Sequence, residues 1–287
     1  MHFSKLFLAA AVFVFMLSLN VFAQEEKKEE PKYGWQNEVV TGLNLTQNSF
    51  DNWSQGGENS LAWQFNFNAK FINDQKKYNW SNTGKLQFGR TKVGDQDSRK
   101  SIDEIKLESV YTYKMSLYVN PYISASAQTQ LMKGYKYTDT TNFVVSNFFD
   151  PAYFIQSAGI GFAPNETVKT RLGAALKETV TQDYPVPYAD DPDTPEIEKT
   201  KVEPGMESVT DVNVTLAKNI LFTSNLQLFS NMKAFNEIDV NWDNLLVAKV
   251  NDYINVNFNV KLFYDRDIST KRQLMQSLAL GLTYTLL

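Results

Sequence analysis

Between Tyr253 and Tyr264 apolar and polar side chains alternate almost without a slip. Ile254, Val256, Phe258, Val260, Leu262 and Tyr264 fall on one parity, and Asn255, Asn257, Asn259 and Lys261 on the other. A period of two means an extended strand with one apolar and one wet face. The same pattern recurs at 60–71, where Leu61, Trp63, Phe65, Phe67, Ala69 and Phe71 oppose Gln64, Asn66, Asn68 and Lys70. Weaker copies occupy 36–47, 78–90, 102–114, 117–132, 152–163, 167–182, 207–216, 221–229, 239–250 and 272–287, which gives about twelve strands.

The connections alternate in length. Long polar stretches at 48–59, 92–101, 133–151, 183–206, 230–238 and 265–271 take turns with short ones at 73–77, 115–116, 164–166, 217–220 and 251–252. A membrane barrel from a bacterial outer membrane keeps this parity, with short periplasmic turns, long outer loops and an even strand number. A soluble sandwich has no reason to. The pattern therefore predicts an all-β fold, a closed antiparallel up-and-down transmembrane β-barrel over 35–287, with its greasy face outward and its amides inward. The competing reading is a soluble periplasmic β-sandwich that binds a ligand. Aromatic placement favours the barrel, because Tyr and Trp gather where oil meets water. Tyr78, Trp80, Tyr111, Tyr113 and Tyr284 fall at strand ends on the short-turn side, and Trp63, Trp242 and Tyr264 near the other.

The N-terminal segment adds location. Lys5 precedes an apolar run, Leu6 to Leu17, and Val21-Phe22-Ala23 offers small residues at the positions a signal peptidase reads. The expectation is a secretory signal over 1–23, then a charged periplasmic leader over 24–34. The chain carries a net charge of −4, so no basic footprint for nucleic acid exists. It has no cysteine, and its single histidine, His2, lies inside the expected signal. Thiolate chemistry, thiolate metal sites and the histidine base of familiar serine hydrolases are all missing. The sequence thus predicts no enzyme, no catalytic residue, no cofactor and no metal. The enzyme alternative is a lipid-acting outer-membrane hydrolase, which would have to rely on carboxylates that no spacing singles out.

The most distinctive stretch is Phe50-Asp51-Asn52-Trp53-Ser54-Gln55-Gly56-Gly57-Glu58-Asn59. This Asn-Trp-x-x-Gly-Gly-x-Asn pattern, set before an alternating strand, resembles a Bacteroidota family of outer-membrane β-barrel proteins of unassigned function. The resemblance implies barrel and location, and no activity. Gly56-Gly57 allows positive φ, and Asn52 and Asn59 can tie the loop to its own backbone. Trp53 could pack in the barrel mouth or stack on a ligand, so Asn52, Trp53, Gly56, Gly57 and Asn59 form the candidate binding set. The C-terminal Gly281-Leu282-Thr283-Tyr284-Thr285-Leu286-Leu287 resembles the terminal strand signal of outer-membrane assembly, with leucine where an aromatic is usual. Expected partners are therefore outer-membrane lipid, the assembly machinery and a polar small molecule.

Asp190, Asp191, Asp193, Glu196 and Glu198 cluster in the longest loop. Their spacing matches no defined calcium loop, and the surrounding prolines argue for an extended solvated segment. The interior should carry Asn, Gln, Ser and Thr with Lys70, Lys85, Lys106, Glu108 and Lys261 among them. At about twelve strands such side chains can either line a watery path or fill the cylinder, and a filled or narrow interior is expected.

Overall fold

The computed structural model describes residues 33–50, 57–138, 141–165, 167–233 and 237–286. The expected signal and most of the charged leader lie outside the described residues. Among those described, fourteen strands form. They are β1 (Gly34–Asn48), β2 (Ser60–Asp74), β3 (Tyr78–Val93), β4 (Arg99–Tyr113), β5 (Val119–Thr129), β6 (Gly134–Tyr137) and β7 (Asn142–Ser146). There follow β8 (Ala152–Phe162), β9 (Val168–Val180), β10 (Thr200–Ala217), β11 (Ile220–Asn231), β12 (Ile238–Lys249), β13 (Ile254–Tyr264) and β14 (Gln273–Thr285).

Twelve of these close into one antiparallel barrel in the order β1-β14-β13-β12-β11-β10-β9-β8-β5-β4-β3-β2. β6 and β7 stand apart as a two-stranded hairpin. Closure comes from β1 against β14, where Leu43 pairs with Leu282 and Leu45 with Leu280. A closed ring leaves no unpaired edge in lipid. The sandwich alternative is thereby excluded.

The core is inverted relative to a soluble protein. Leu278 is 67% exposed, Ile123 60% and Leu107 56%, whereas Glu207 is 1% and Glu104 6% exposed. Large apolar side chains point away from the cylinder and carboxylates point into it, because the surrounding medium is lipid and the axis is polar. A lysine or arginine turned outward at the bilayer midplane would cost roughly 2–4 kcal/mol. Rings mark the two rims. Trp35 and Trp80 lie 6.1 Å apart and Tyr78 stacks on Tyr111 at 5.4 Å on the short-turn side, while Trp63 meets Phe88 edge-on at 5.7 Å on the other.

Three boundaries depart from the sequence expectation. The loop expected over 92–101 shrinks to 94–98, because β3 and β4 stay paired beyond the alternation. The strand expected over 117–132 spans only Val119–Thr129, and the loop after it contains the β6–β7 hairpin. The strand expected from 207 begins at Thr200, inside the connection expected over 183–206. Pro204 sits within β10 opposite Leu176, and its carbonyl accepts from Met232 N at 2.9 Å.

Candidate functional site

The interior is where polar chemistry converges. Period two on β3, β4, β12 and β13 sends Lys85, Glu104, Asp243 and Lys261 inward at one level. Lys85 Nζ lies 2.7 Å from Asp243 Oδ2 and 3.4 Å from Glu104 Oε2. Lys261 Nζ donates to Glu104 Oε1 at 2.9 Å, and Asn259 Nδ2 donates to Asp243 Oδ1 at 2.6 Å. β3 and β12 are not neighbours, and nor are β4 and β13; each pair faces across the ring. These are therefore chords through the lumen, and they constrict it at mid-height.

A second cluster fills the side walled by β5, β8, β9 and β10. Glu207 Oε2 accepts from Ser157 Oγ at 2.7 Å and its Oε1 from Gln227 Nε2 at 2.7 Å. Tyr122 Oη shares a 3.3 Å hydrogen bond with Ser157 Oγ. Arg171 pairs with Glu108 and lies 5.8 Å from the Tyr122 ring centroid. The cross-strand row Tyr122, Gly159, Gly173, Glu207 explains the packing. A Cβ on Gly173 would stand 2.7 Å from Tyr122 Oη and 2.4 Å from the Ala158 carbonyl oxygen. Only a glycine wall lets the tyrosine lie flat there. Phe229 uses Gly205 in the same way, with the ring 2.6 Å from where a Cβ would be.

Towards the long-loop rim Lys177 Nζ gathers three carboxylates: Asp239 at 2.7 Å, Asp265 at 3.1 Å and Glu203 at 3.7 Å. Above it a small cleft of about 80 Å³ is lined by Lys201, Glu203, Asn231, Glu237, Asp239 and Arg266, together with Asp267. The charges there are largely paired with one another, Lys201 with Asp267 and Arg266 with Glu237.

Of the loop motif, Asn52, Trp53 and Gly56 lie outside the described residues. Gly57 has φ +147°, and a Cβ there would come within 2.8 Å of the Phe50 ring. Asn59 Oδ1 accepts from Phe50 N at 2.6 Å, and its carbonyl accepts from Gly94 N at 2.7 Å. These two residues thus fasten the β1–β2 loop to itself and to the β3–β4 turn.

The acidic loop spends its carboxylates on its own backbone. Glu198 Oε2 accepts from Asp191 N at 3.1 Å, Asp190 Oδ1 from Glu198 N at 3.2 Å and Asp191 Oδ1 from Asp193 N at 3.0 Å. The Thr194 hydroxyl and the Asp191 N–H together hold the Glu198 carboxyl below its ordinary value. Nearby, burial pushes the Tyr188 phenol up, and the charge on Asp150 adds to it.

Of the expected interior residues, Lys85, Lys106, Glu108 and Lys261 enter these networks, while Lys70 has inward parity on β2 opposite Glu38 and lies outside them. Sequence reading missed their partners Glu104, Arg171 and Asp243, and with them Lys177, Glu203 and Glu207 of the other clusters. Parity alone places each of them inward on its strand, so the signal was present for every one. For Glu203 it was masked by the late start given to β10.

What the fold and site define is a transmembrane β-barrel with a charge-crossed polar lumen. Residues 45–135, from the end of β1 into β6, match the family model described as Protein of unknown function (DUF3078). Among curated proteins nothing matches the sequence. Solved structures similar to this chain include the translocator domain of autotransporter NalP from Neisseria meningitidis, at 9% identity, covering 96% of this chain and 97% of that one with a TM-score of 0.39. The COG4313 outer membrane channel from Pseudomonas putida F1 is 11% identical, covering 92% and 98% with a TM-score of 0.39. The NanC porin is 6% identical, covering 86% and 98% with a TM-score of 0.39.

Proposed function

We propose that this protein is an outer-membrane channel of narrow bore, which passes small polar solutes through a lumen constricted by ion pairs and performs no chemistry on them. The observation that carries the reading is the pair of chords, Lys85 to Asp243 and Glu104 to Lys261, set in an interior of amides and hydroxyls. A barrel serving only as a scaffold could be filled with apolar side chains or with one continuous hydrogen-bonded plug. Here charged groups meet at one level, while inward amides such as Gln64, Asn66 and Asn68 keep surface open to the lumen. The absence of cysteine, and of histidine beyond His2, supports a non-enzymatic role.

Single-channel recording in planar bilayers tests this. Folded protein should give small, discrete steps, and Glu104→Gln should enlarge them by loosening both lysines. A flat trace from correctly folded wild type and variant alike would remove the channel reading.

A further inference from the structure

The chords divide the lumen unequally. Lys85–Asp243 and Glu104–Lys261 run from β3 and β4 to β12 and β13, so that β14, β1 and β2 lie on one side. A further contact, Lys106 Nζ to Gln227 Oε1 at 3.4 Å, joins β4 to β11 and encloses β5, β8, β9 and β10 on the other.

The two sides differ in packing. On the β5–β10 side the inward residues are sealed: Ser157 is 6% exposed, Ala175 9%, Glu207 1% and Val209 3%. On the β14–β1–β2 side Gln64, Asn66, Ser277 and Ala279 are half-buried and Asn68 is exposed, although all point inward. Accessible surface on an inward side chain faces the lumen and nothing else.

The two sides also differ in chemistry. Apart from Glu38, Lys70 and Asp74 towards the short-turn end, the inward positions of β14, β1 and β2 are uncharged. Ser277, Ala279 and Gly42 are small, which leaves room beside the wall, whereas the space at Gly281 is taken by the amides of Asn44, Asn255 and Asn257. Asn44, Gln64, Asn66 and Asn68 offer amide donors and acceptors together. Asn44 Oδ1 accepts from Asn257 Nδ2 at 3.1 Å, and Asn66 Oδ1 accepts from Gln64 Nε2 at 2.6 Å and Gln87 Nε2 at 3.0 Å. A solute passing along this wall exchanges water for amides, and the charges on the chord side are already paired with one another. An ion, by contrast, would lose hydration with no opposite charge to replace it.

We infer that the conducting path is the off-axis crescent along β14, β1 and β2, and that its amide lining selects small uncharged, hydroxyl-rich solutes of the sugar class over charged solutes of similar size. This rests on the channel reading above and adds the route and the solute class.

The chain has no cysteine, so single replacements report position cleanly. Ala279→Cys and Asn66→Cys probe the crescent; Ala175→Cys and Ser157→Cys probe the sealed side. Each is folded, checked by its heat-dependent band shift, and exposed to a cationic methanethiosulfonate. Modification is read by mass, and conductance is recorded before and after. The expected result is fast modification and reduced conductance for Ala279→Cys and Asn66→Cys, with at least tenfold slower modification and unchanged conductance for the other pair. Equal rates on both sides, or faster modification of Ala175→Cys, would overturn the route. Modification ranks the two sides even if wild type does not conduct, so a failed channel reading and a misplaced route give separate results. For the solute class, liposome swelling compares a pentose with glutamate and with lysine. Faster entry of the pentose is expected; equal or faster entry of either amino acid would overturn it.

Discussion

Lys85 on β3 reaches across the barrel to Asp243 on β12, 158 positions further along the chain, Nζ to Oδ2 at 2.7 Å. Each has a second partner within the lumen, Glu104 for the lysine and Asn259 for the aspartate. Breaking such a contact from one side leaves a charge unmatched, whereas removing both charges together is often close to neutral. Lys85→Met should therefore lower stability by roughly 1–3 kcal/mol. Lys85→Met with Asp243→Leu should recover most of that loss. Urea titration of protein folded in lipid vesicles measures both, and a double variant no more stable than the single one would contradict the bond's inward, paired character.

The Tyr122 seat makes a second prediction. Gly173→Ala places a methyl against both Tyr122 Oη and the Ala158 carbonyl. The backbone contact cannot be relieved by rotating a side chain, so the variant should fold poorly, with most of the protein in the unshifted band on an unheated gel. Tyr122→Phe loses one hydrogen bond and should cost only about 1 kcal/mol. If Gly173→Ala folds as well as wild type, the ring does not rest on that wall.

Two tryptophans at opposite rims solve the same problem in the same way. Trp80 Nε1 donates to Ser109 Oγ at 2.9 Å, and Ser109 donates to Asn82 Oδ1 at 2.8 Å. Trp242 Nε1 donates to Ser224 Oγ at 2.9 Å, and Ser224 donates to Asn244 Oδ1 at 2.8 Å. In each case the asparagine lies two residues after the tryptophan and directly opposite the serine. The relay accounts for polar side chains on a lipid-facing surface: they satisfy an indole N–H that hydrocarbon cannot. Ser224→Ala should destabilise the barrel by roughly 1–3 kcal/mol, since it orphans that donor. Adding Trp242→Phe should recover part of the loss, which the same urea titration reads.

The exterior of this barrel was legible and its interior was not, for a physical reason. Lipid asks only that outward residues be apolar, so β2 and β13 declare themselves residue by residue. Interior pairs are made across the ring, and nothing local to Lys85 or Glu104 announces Asp243 or Lys261. Parity gives the side of the wall but not the opposite number. The proline- and acid-rich connection expected over 183–206 hid the start of β10, where the lack of a Pro204 N–H and of a Gly205 Cβ is tolerated, the latter making room for the Phe229 ring. The β6–β7 hairpin has strands of only four and five residues, too short for a period to be told from a loop. In the Asn-Trp-x-x-Gly-Gly-x-Asn loop, Asn59 is tied locally, which is the kind of contact a sequence motif can encode.

The long loops are held by one buried carboxylate. Asp150, 3% exposed, lies in the connection between β5 and β8 but accepts from Gln182 N at 3.0 Å and Asp183 N at 2.7 Å, at the start of the connection from β9 to β10. Two backbone donors on one carboxylate make a charge-assisted tie between the two loops just beyond the last β8–β9 pair, Ala152 and Val180. Gln130 Nε2 braces the same turn by donating to the carbonyls of Asn147 and Asp150, at 2.9 and 3.2 Å. Asp150→Ala removes the acceptors and leaves both N–H groups unpaired. The strands below should be unaffected, because their ladders do not pass through this residue. Limited proteolysis of folded protein should then show new cleavage within 183–199, with the barrel core intact and its heat-dependent band shift unchanged. Asp150→Asn keeps one acceptor and should fall between the two. If Asp150→Ala were cut no faster than wild type, the tie would be dispensable, and the acidic loop's own hydrogen bonds would be enough to hold it in place.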